Sequence, residues 1–184
     1  MPRAALLLID FQNAVFEPPA AKAEDADAIL GHLTRLQAAA RAAGVPVVMV
    51  QHEEAGGEWE RGTDTWAWPA AIAPQPGDHL VSKESCDAFR DTELAAVLAK
   101  LGVTDLYVCG YATEFCLDTS IRRAASDGFR VKVIADAQTT RNRPHLPAAA
   151  IRQHHLWVWE NMSVKDNPIG ITETNAVLSS FKAP

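Results

Sequence analysis

With 184 residues and 48% hydrophobic content, the chain has the size and apolar fraction of one globular domain with a real core, spanning 1–184. A net charge of -6 and a pI near 5.5 set aside nucleic-acid and anionic-membrane partners, which call for a basic stripe. Three cysteines, Cys86, Cys109 and Cys116, are too few and too odd in number for a disulfide framework, and neither a signal-peptide pattern nor a bilayer-length apolar run occurs, so the chain reads as cytoplasmic.

In chain order, apolar runs alternate with amphipathic ones. "ALLLID" (5–10) is a short continuous apolar run, the pattern of a strand buried on both faces. Ile29, Leu33, Leu36 and Ala40 then repeat at helical spacing within 25–43, and Gly44 supplies a stop. "VPVVMVQ" (45–51) is a second buried strand, followed by a long aperiodic stretch with Trp59, Trp66 and Trp68. A loop this long in a compact domain is commonly functional, and its tryptophans argue for an ordered lid or pocket wall. "HLVSK" (79–83) predicts a third strand, and Leu94, Val97, Leu98 and Leu101 predict a helix ending at Gly102. "DLYVCG" (105–110), "EFCLDTSIRRAASDG" (114–128) and "RVKVIAD" (130–136) follow as strand, helix and strand. For the remainder, the pattern predicts a helix over 144–155 with Pro147 in its first turn, a sixth strand at "LWVWE" (156–160), and a last helix over 172–181 capped by Thr172. This alternation specifies an α/β fold: a three-layer α/β/α sandwich around a mainly parallel, doubly wound sheet of about six strands.

Ligands of such a sheet bind beyond the carboxyl ends of its strands, so reactive residues at those ends matter most. Asp10 closes the first strand, Lys83 closes the third, and Cys116 lies just past the fourth, at a helix start. Singly, a strand-end Asp caps a turn, a Lys is a solvated charge and a Cys is a small hydrophobe. Together they form a nucleophile, a base and a cation at one sheet edge. A helix N-terminus and a lysine both favour thiolate, so Cys116 is expected to be pre-activated. Asp10 can take the thiol proton and return it to a leaving amine, and the backbone N–H groups of Ala112 and Cys116 can receive an oxyanion. Cys109 falls inside a strand run and reads as core, and Cys86 as packing or incidental.

Three stretches carry a resemblance: "ALLLIDFQN", "HLVSKESCDAF" and "LYVCGYATEFCLDTSIRRAASDGFRVKVIADA". They resemble the isochorismatase-like cysteine hydrolase superfamily, which includes nicotinamidases and carbamoylsarcosine amidohydrolases. The resemblance implies a catalytic triad of Asp10, Lys83 and Cys116, a cis peptide at Tyr111–Ala112, and a dimer or tetramer. It further implies hydrolysis of an amide, ureido or carbamoyl C–N bond in a small molecule through a thioester. The alternatives are a vinyl-ether hydrolase, as in the isochorismatases proper, and a non-catalytic metabolite-binding or assembly module on the same fold. A dinucleotide-binding oxidoreductase is disfavoured, because no Gly-x-Gly-x-x-Gly follows a strand.

Several nicotinamidases hold a metal with an Asp-x-His pair and a further His. An overlay puts His52 and Glu54 at the paired positions, so that motif is unmatched; no cofactor is expected, with a metal near His52 left open. Phe11, Gln12, His52, Trp66, Tyr111 and Phe115 are the candidates to contact substrate, with Trp66 the preferred wall. Glu114 reads as a loop-orienting or helix-start charge.

Overall fold

The computed structural model describes residues 3–181. Six strands, β1 (Ala4–Ile9), β2 (Val47–His52), β3 (His79–Lys83), β4 (Asp105–Tyr111), β5 (Arg130–Thr139) and β6 (Gly170–Thr172), form one parallel sheet in the order β3-β2-β1-β4-β5-β6. Five α-helices accompany them: α1 (Ala26–Ala42), α2 (Leu94–Leu101), α3 (Asp118–Ser126), α4 (Ala148–Asn161) and α5 (Thr174–Phe181). The three-layer arrangement expected from the alternating pattern is what forms. No helix among the described residues is long and apolar enough to cross a membrane.

The strands are apolar on both faces because both faces are covered. Ala5, Leu7 and Ile9 of β1 pack with Leu94 and Leu98 of α2, Ile121 of α3 and Trp159 of α4. Leu6 and Leu8, pointing the other way, pack with Ile29, Leu33 and Leu36 of α1 and with Val177 and Phe181 of α5. Gly102 ends α2 in the left-handed conformation (φ 65°), which leaves its N–H free to bond back to the Leu98 carbonyl.

Four local expectations need correction. "LWVWE" is the end of α4, not a strand. A five-residue apolar run does not distinguish a strand from a buried helical turn. Here Trp159 is buried and donates its indole N–H to Asp118 Oδ1 at 2.8 Å, while Trp157 lies 64% exposed, a one-sided burial that suits a helix. The sixth strand is instead the three-residue Gly170–Thr172, too short to leave a pattern. Thr172 therefore belongs to β6, and α5 starts at Thr174, whose N–H and hydroxyl both bond Asp136 Oδ1 at 2.8 Å. Pro147 occupies the N-cap of α4 rather than its first turn, and β5 runs three residues beyond the expected end.

The strand order reverses between β1 and β4, whose neighbours run outward in opposite directions. At that switch point the two connections diverge and leave a crevice. Ile9 and Gly110 are register partners there, and a Cβ at Gly110 would lie 2.0 Å from the Ile9 carbonyl oxygen. Only glycine allows the two strands to meet so closely.

Candidate active site

Asp10 and Cys116 leave the sheet at this crevice, and the Lys83 side chain reaches it from the end of the edge strand β3. Asp10 follows β1 and takes a left-handed φ of 51°, a conformation Asp accepts more readily than most residues, while its N–H continues the ladder to the Val50 carbonyl at 2.9 Å. Lys83 is the last residue of β3. Cys116 lies not in an α-helical turn but in a π-helical one, Thr113–Leu117, placed ahead of α3. Leu117 N–H bonds five residues back to the Ala112 carbonyl at 3.1 Å. Widened turns of this kind recur at functional sites because they re-aim a side chain. The Tyr111–Ala112 peptide is cis.

The three side chains meet around the Lys83 ammonium, which is 0% exposed and lies 2.6 Å from Asp10 Oδ2 and 3.2 Å from Cys116 Sγ. The same Nζ approaches the Ser85 carbonyl at 3.0 Å and His52 Nδ1 at 3.2 Å. Burial by itself would lower the Lys83 pKa, but attraction to Asp10 and Cys116 outweighs it and holds the group above its ordinary value. His52 is pushed down, first by burial and then by the Lys83 charge, so the imidazole is neutral and Nδ1 is the acceptor. Cys116 is pushed up, by burial first and by the Asp10 carboxylate second, against the opposing pull of Lys83. Against the expectation of a pre-activated thiolate, burial and the Asp10 carboxylate favour the protonated form of Cys116, and Lys83 alone favours the thiolate.

Above this floor opens a cavity of about 250 Å³, reached by Asp10, Ala112 and Cys116 from below. Of the candidate contact residues, His52, Tyr111 and Phe115 line it. Phe11, Gln12 and Trp66 are not among its lining residues. Phe11 is buried against Phe16, edge to face at 5.8 Å. Gln12 is a buried clamp: its amide donates to the His52 and Trp66 carbonyls at 2.9 and 2.8 Å and accepts from His52 N–H at 3.0 Å. Trp66 contributes that carbonyl, and the tryptophan in the cavity is Trp59, stacked on Tyr111 at 5.9 Å. The long loop thus does form a wall, through a different tryptophan.

Four lining residues escaped the sequence reading: Glu58, Cys86, Arg141 and Arg143. Cys86 is an exposed thiol, whereas Cys109 is fully buried, with its pKa raised by that burial. Arg141 makes a two-pronged pair with Glu58 at 2.9 and 3.1 Å, and Arg143 pairs with Glu114 at 2.6 Å. Both arginines lie just past the end of β5. Applying the strand-end rule to β5 would have found them, had its end been placed at Thr139 rather than Asp136.

A metal is poorly served here. His52 Nδ1 is taken by Lys83, Glu53 faces Arg61 at 3.4 Å, and no group of three or more His, Cys, Asp or Glu gathers as a metal site among the described residues.

The isochorismatase domain model matches residues 4–164. The chain belongs to the isochorismatase family. This isochorismatase-family chain is 38% identical over 144 residues to a streptothricin hydrolase of Streptomyces noursei, covering 78% of this chain and 52% of that protein. It spans only about half the length of the streptothricin hydrolases it matches. It is also 32% identical over 161 residues to the maleamate amidohydrolase of Pseudomonas putida, covering 78% and 76% of the two chains. A crystal structure of an isochorismatase from Pseudomonas putida KT2440 superposes with a TM-score of 0.85 at 30% identity, covering 95% of this chain and 89% of the other.

Proposed function

We propose that this chain hydrolyses a C–N bond of a small amide, ureide or carbamoyl compound through a thioester on Cys116. The observation that carries the reading is the Lys83 ammonium held between Asp10 and Cys116, at 2.6 and 3.2 Å, on the floor of an open cavity of about 250 Å³. Similarity to an amidohydrolase and a streptothricin hydrolase supports it.

Cys116 Sγ attacks the carbonyl carbon as Asp10 takes the thiol proton, and the carbonyl electron pair moves to oxygen. Lys83 steadies both the new carboxylic acid and the sulfur, so the proton moves without leaving an uncompensated buried charge. The oxyanion is received by the N–H groups of Ala112 and Cys116. Among the described residues the buried Ala112 N–H donates to no acceptor, which leaves it available for that duty. Asp10 then delivers its proton to the leaving nitrogen, and ammonia or an amine departs. Water, deprotonated by Asp10, attacks the thioester and returns the thiol.

An ammonia-release screen across nicotinamide, carbamoyl, ureido and lactam compounds tests the proposal, with Cys116→Ala as the control. Turnover of at least one class is expected, falling to background in the variant. Activity retained without the sulfur would sink the covalent route.

A further inference from the structure

The charges that line the cavity are not equivalent. Asp10 is compensated by Lys83 at 2.6 Å, and Glu58 by Arg141 at 2.9 Å. Arg141 also spends Nη2 on the Ala14 and Glu17 carbonyls, at 2.5 and 2.6 Å, so that nitrogen is committed to holding two loops together, while its Nε is buried without a partner. Arg143 differs. Its Nε donates to Glu114 Oε1 at 2.6 Å and its Nη2 to Thr140 Oγ1 at 3.1 Å, and the guanidinium lies 4.9 Å over the Phe115 ring. The backbone is fixed as well, by the exchange of hydrogen bonds between Arg143 and Leu146 at 2.9 and 3.2 Å. Nη1 makes no hydrogen bond within 3.5 Å to a described residue, the Tyr111 hydroxyl is close enough to feel the Arg143 charge, and the residue lines the cavity while Glu114 does not. The neutralising carboxylate sits behind the fork and the spare donors are left for the cavity. Phe115, on which the fork rests, immediately precedes Cys116.

We propose that Arg143 is a specificity-determining residue, taking a carboxylate or equally anionic group carried by the acyl part of a small substrate whose carbonyl meets Cys116. A tethered, planar guanidinium with free N–H groups matches a carboxylate in shape and charge. A neutral amide of the same size offers one carbonyl oxygen and no charge, and turns an amide N–H₂ toward the cation where the carboxylate has its second oxygen. At about 250 Å³ the cavity is smaller than a drug-sized ligand requires, and the stacked faces of Trp59 and Tyr111 favour a short, flat acyl chain. The inference rests on Cys116 being the nucleophile of this cavity.

The test needs no known substrate. Cys116 is alkylated with a ladder of bromo acids, bromoacetate and 3-bromopropionate, each against its own amide, and peptide mass spectrometry separates Cys116 from exposed Cys86 and buried Cys109. Relative to free cysteine in solution, the acid-to-amide rate ratio at Cys116 should be raised about tenfold or more for one length, the worth of one charged hydrogen bond. Arg143→Gln should return that ratio to the solution value, and Arg143→Lys should keep part of it. A ratio equal to that of free cysteine, or one that survives R143Q, overturns the assignment. Should R143Q fail to fold, Glu114→Gln serves: stripping the carboxylate from behind the fork raises the ratio, and a flat ratio overturns the proposal. If neither acid nor amide reaches Cys116 faster than Cys109, the nucleophile itself is wrong and this inference falls with it, a result distinct from loss of the ratio alone.

Discussion

The floor of the cavity and its wall are built on different principles. Asp10, Lys83 and the Cys116 turn are set by the ends of β1, β3 and β4, so their spacing is a property of the sheet. Trp59, Glu58, Arg141 and Arg143 hang on two connections and are held by side-chain pairs and stacking. On the proposed mechanism the floor fixes what reaction can occur, and the wall fixes which molecule undergoes it. The wall can change by altering a few loop residues, whereas the floor cannot change without disturbing the core.

That division predicts where damage shows. Asp10→Asn should lower turnover by roughly 10²–10⁴, the usual worth of a placed acid-base group. It also removes the carboxylate that raises the Cys116 pKa while leaving Lys83, so the pH midpoint for alkylating Cys116 should fall even as turnover is lost. A midpoint that rises would mean that the carboxylate does not control the sulfur. Lys83→Met leaves the Asp10 carboxylate buried without its cation and should cost about 3–5 kcal/mol in urea unfolding. Adding Asp10→Asn should recover much of that, and an unrecovered loss would place the damage in packing rather than charge.

Alkaline stability gives a smaller effect. Cys116, Cys109 and Lys83 are all raised by the fold, so each holds a proton that the unfolded chain releases first. Stability is full below the ordinary thiol value of 9.0 and should fall above it, by about 1.4 kcal/mol per pH unit for each thiol. Unfolding midpoints flat from pH 8 to 10 would contradict the buried-thiol assignment. The smallest effect belongs to the wall: Trp59→Ala should raise KM by roughly tenfold or less with kcat nearly kept, since a stacked aromatic contact is worth about 0.5–1.5 kcal/mol. A kcat collapse there would erase the distinction between floor and wall.

The same contrast governs what the sequence disclosed. β1, β2 and β4 are continuous apolar runs because both faces are buried, and their ends point directly to Asp10 and Cys116. The wall carries no period. Among the tryptophans of one aperiodic loop, nothing local marks Trp59 over Trp66, because the choice depends on Tyr111, over fifty residues away. Arg141 and Arg143 reach the crevice because β5 runs three residues beyond the end that its apolar run suggests. The forces on the Cys116 thiol were only half legible for a related reason: helix position and lysine were visible, while the depth of burial was not.

One residue that performs no chemistry sets the tolerance for it. At Gly110 two backbones touch, since even a methyl group would collide with the Ile9 carbonyl. Any side chain there would act as a wedge at the root of both strands, carrying Asp10 one way and the Cys116 turn the other. The gap that the proposed proton transfer crosses is thus gauged from beneath by an absent atom, in the floor of the sheet rather than in the cavity.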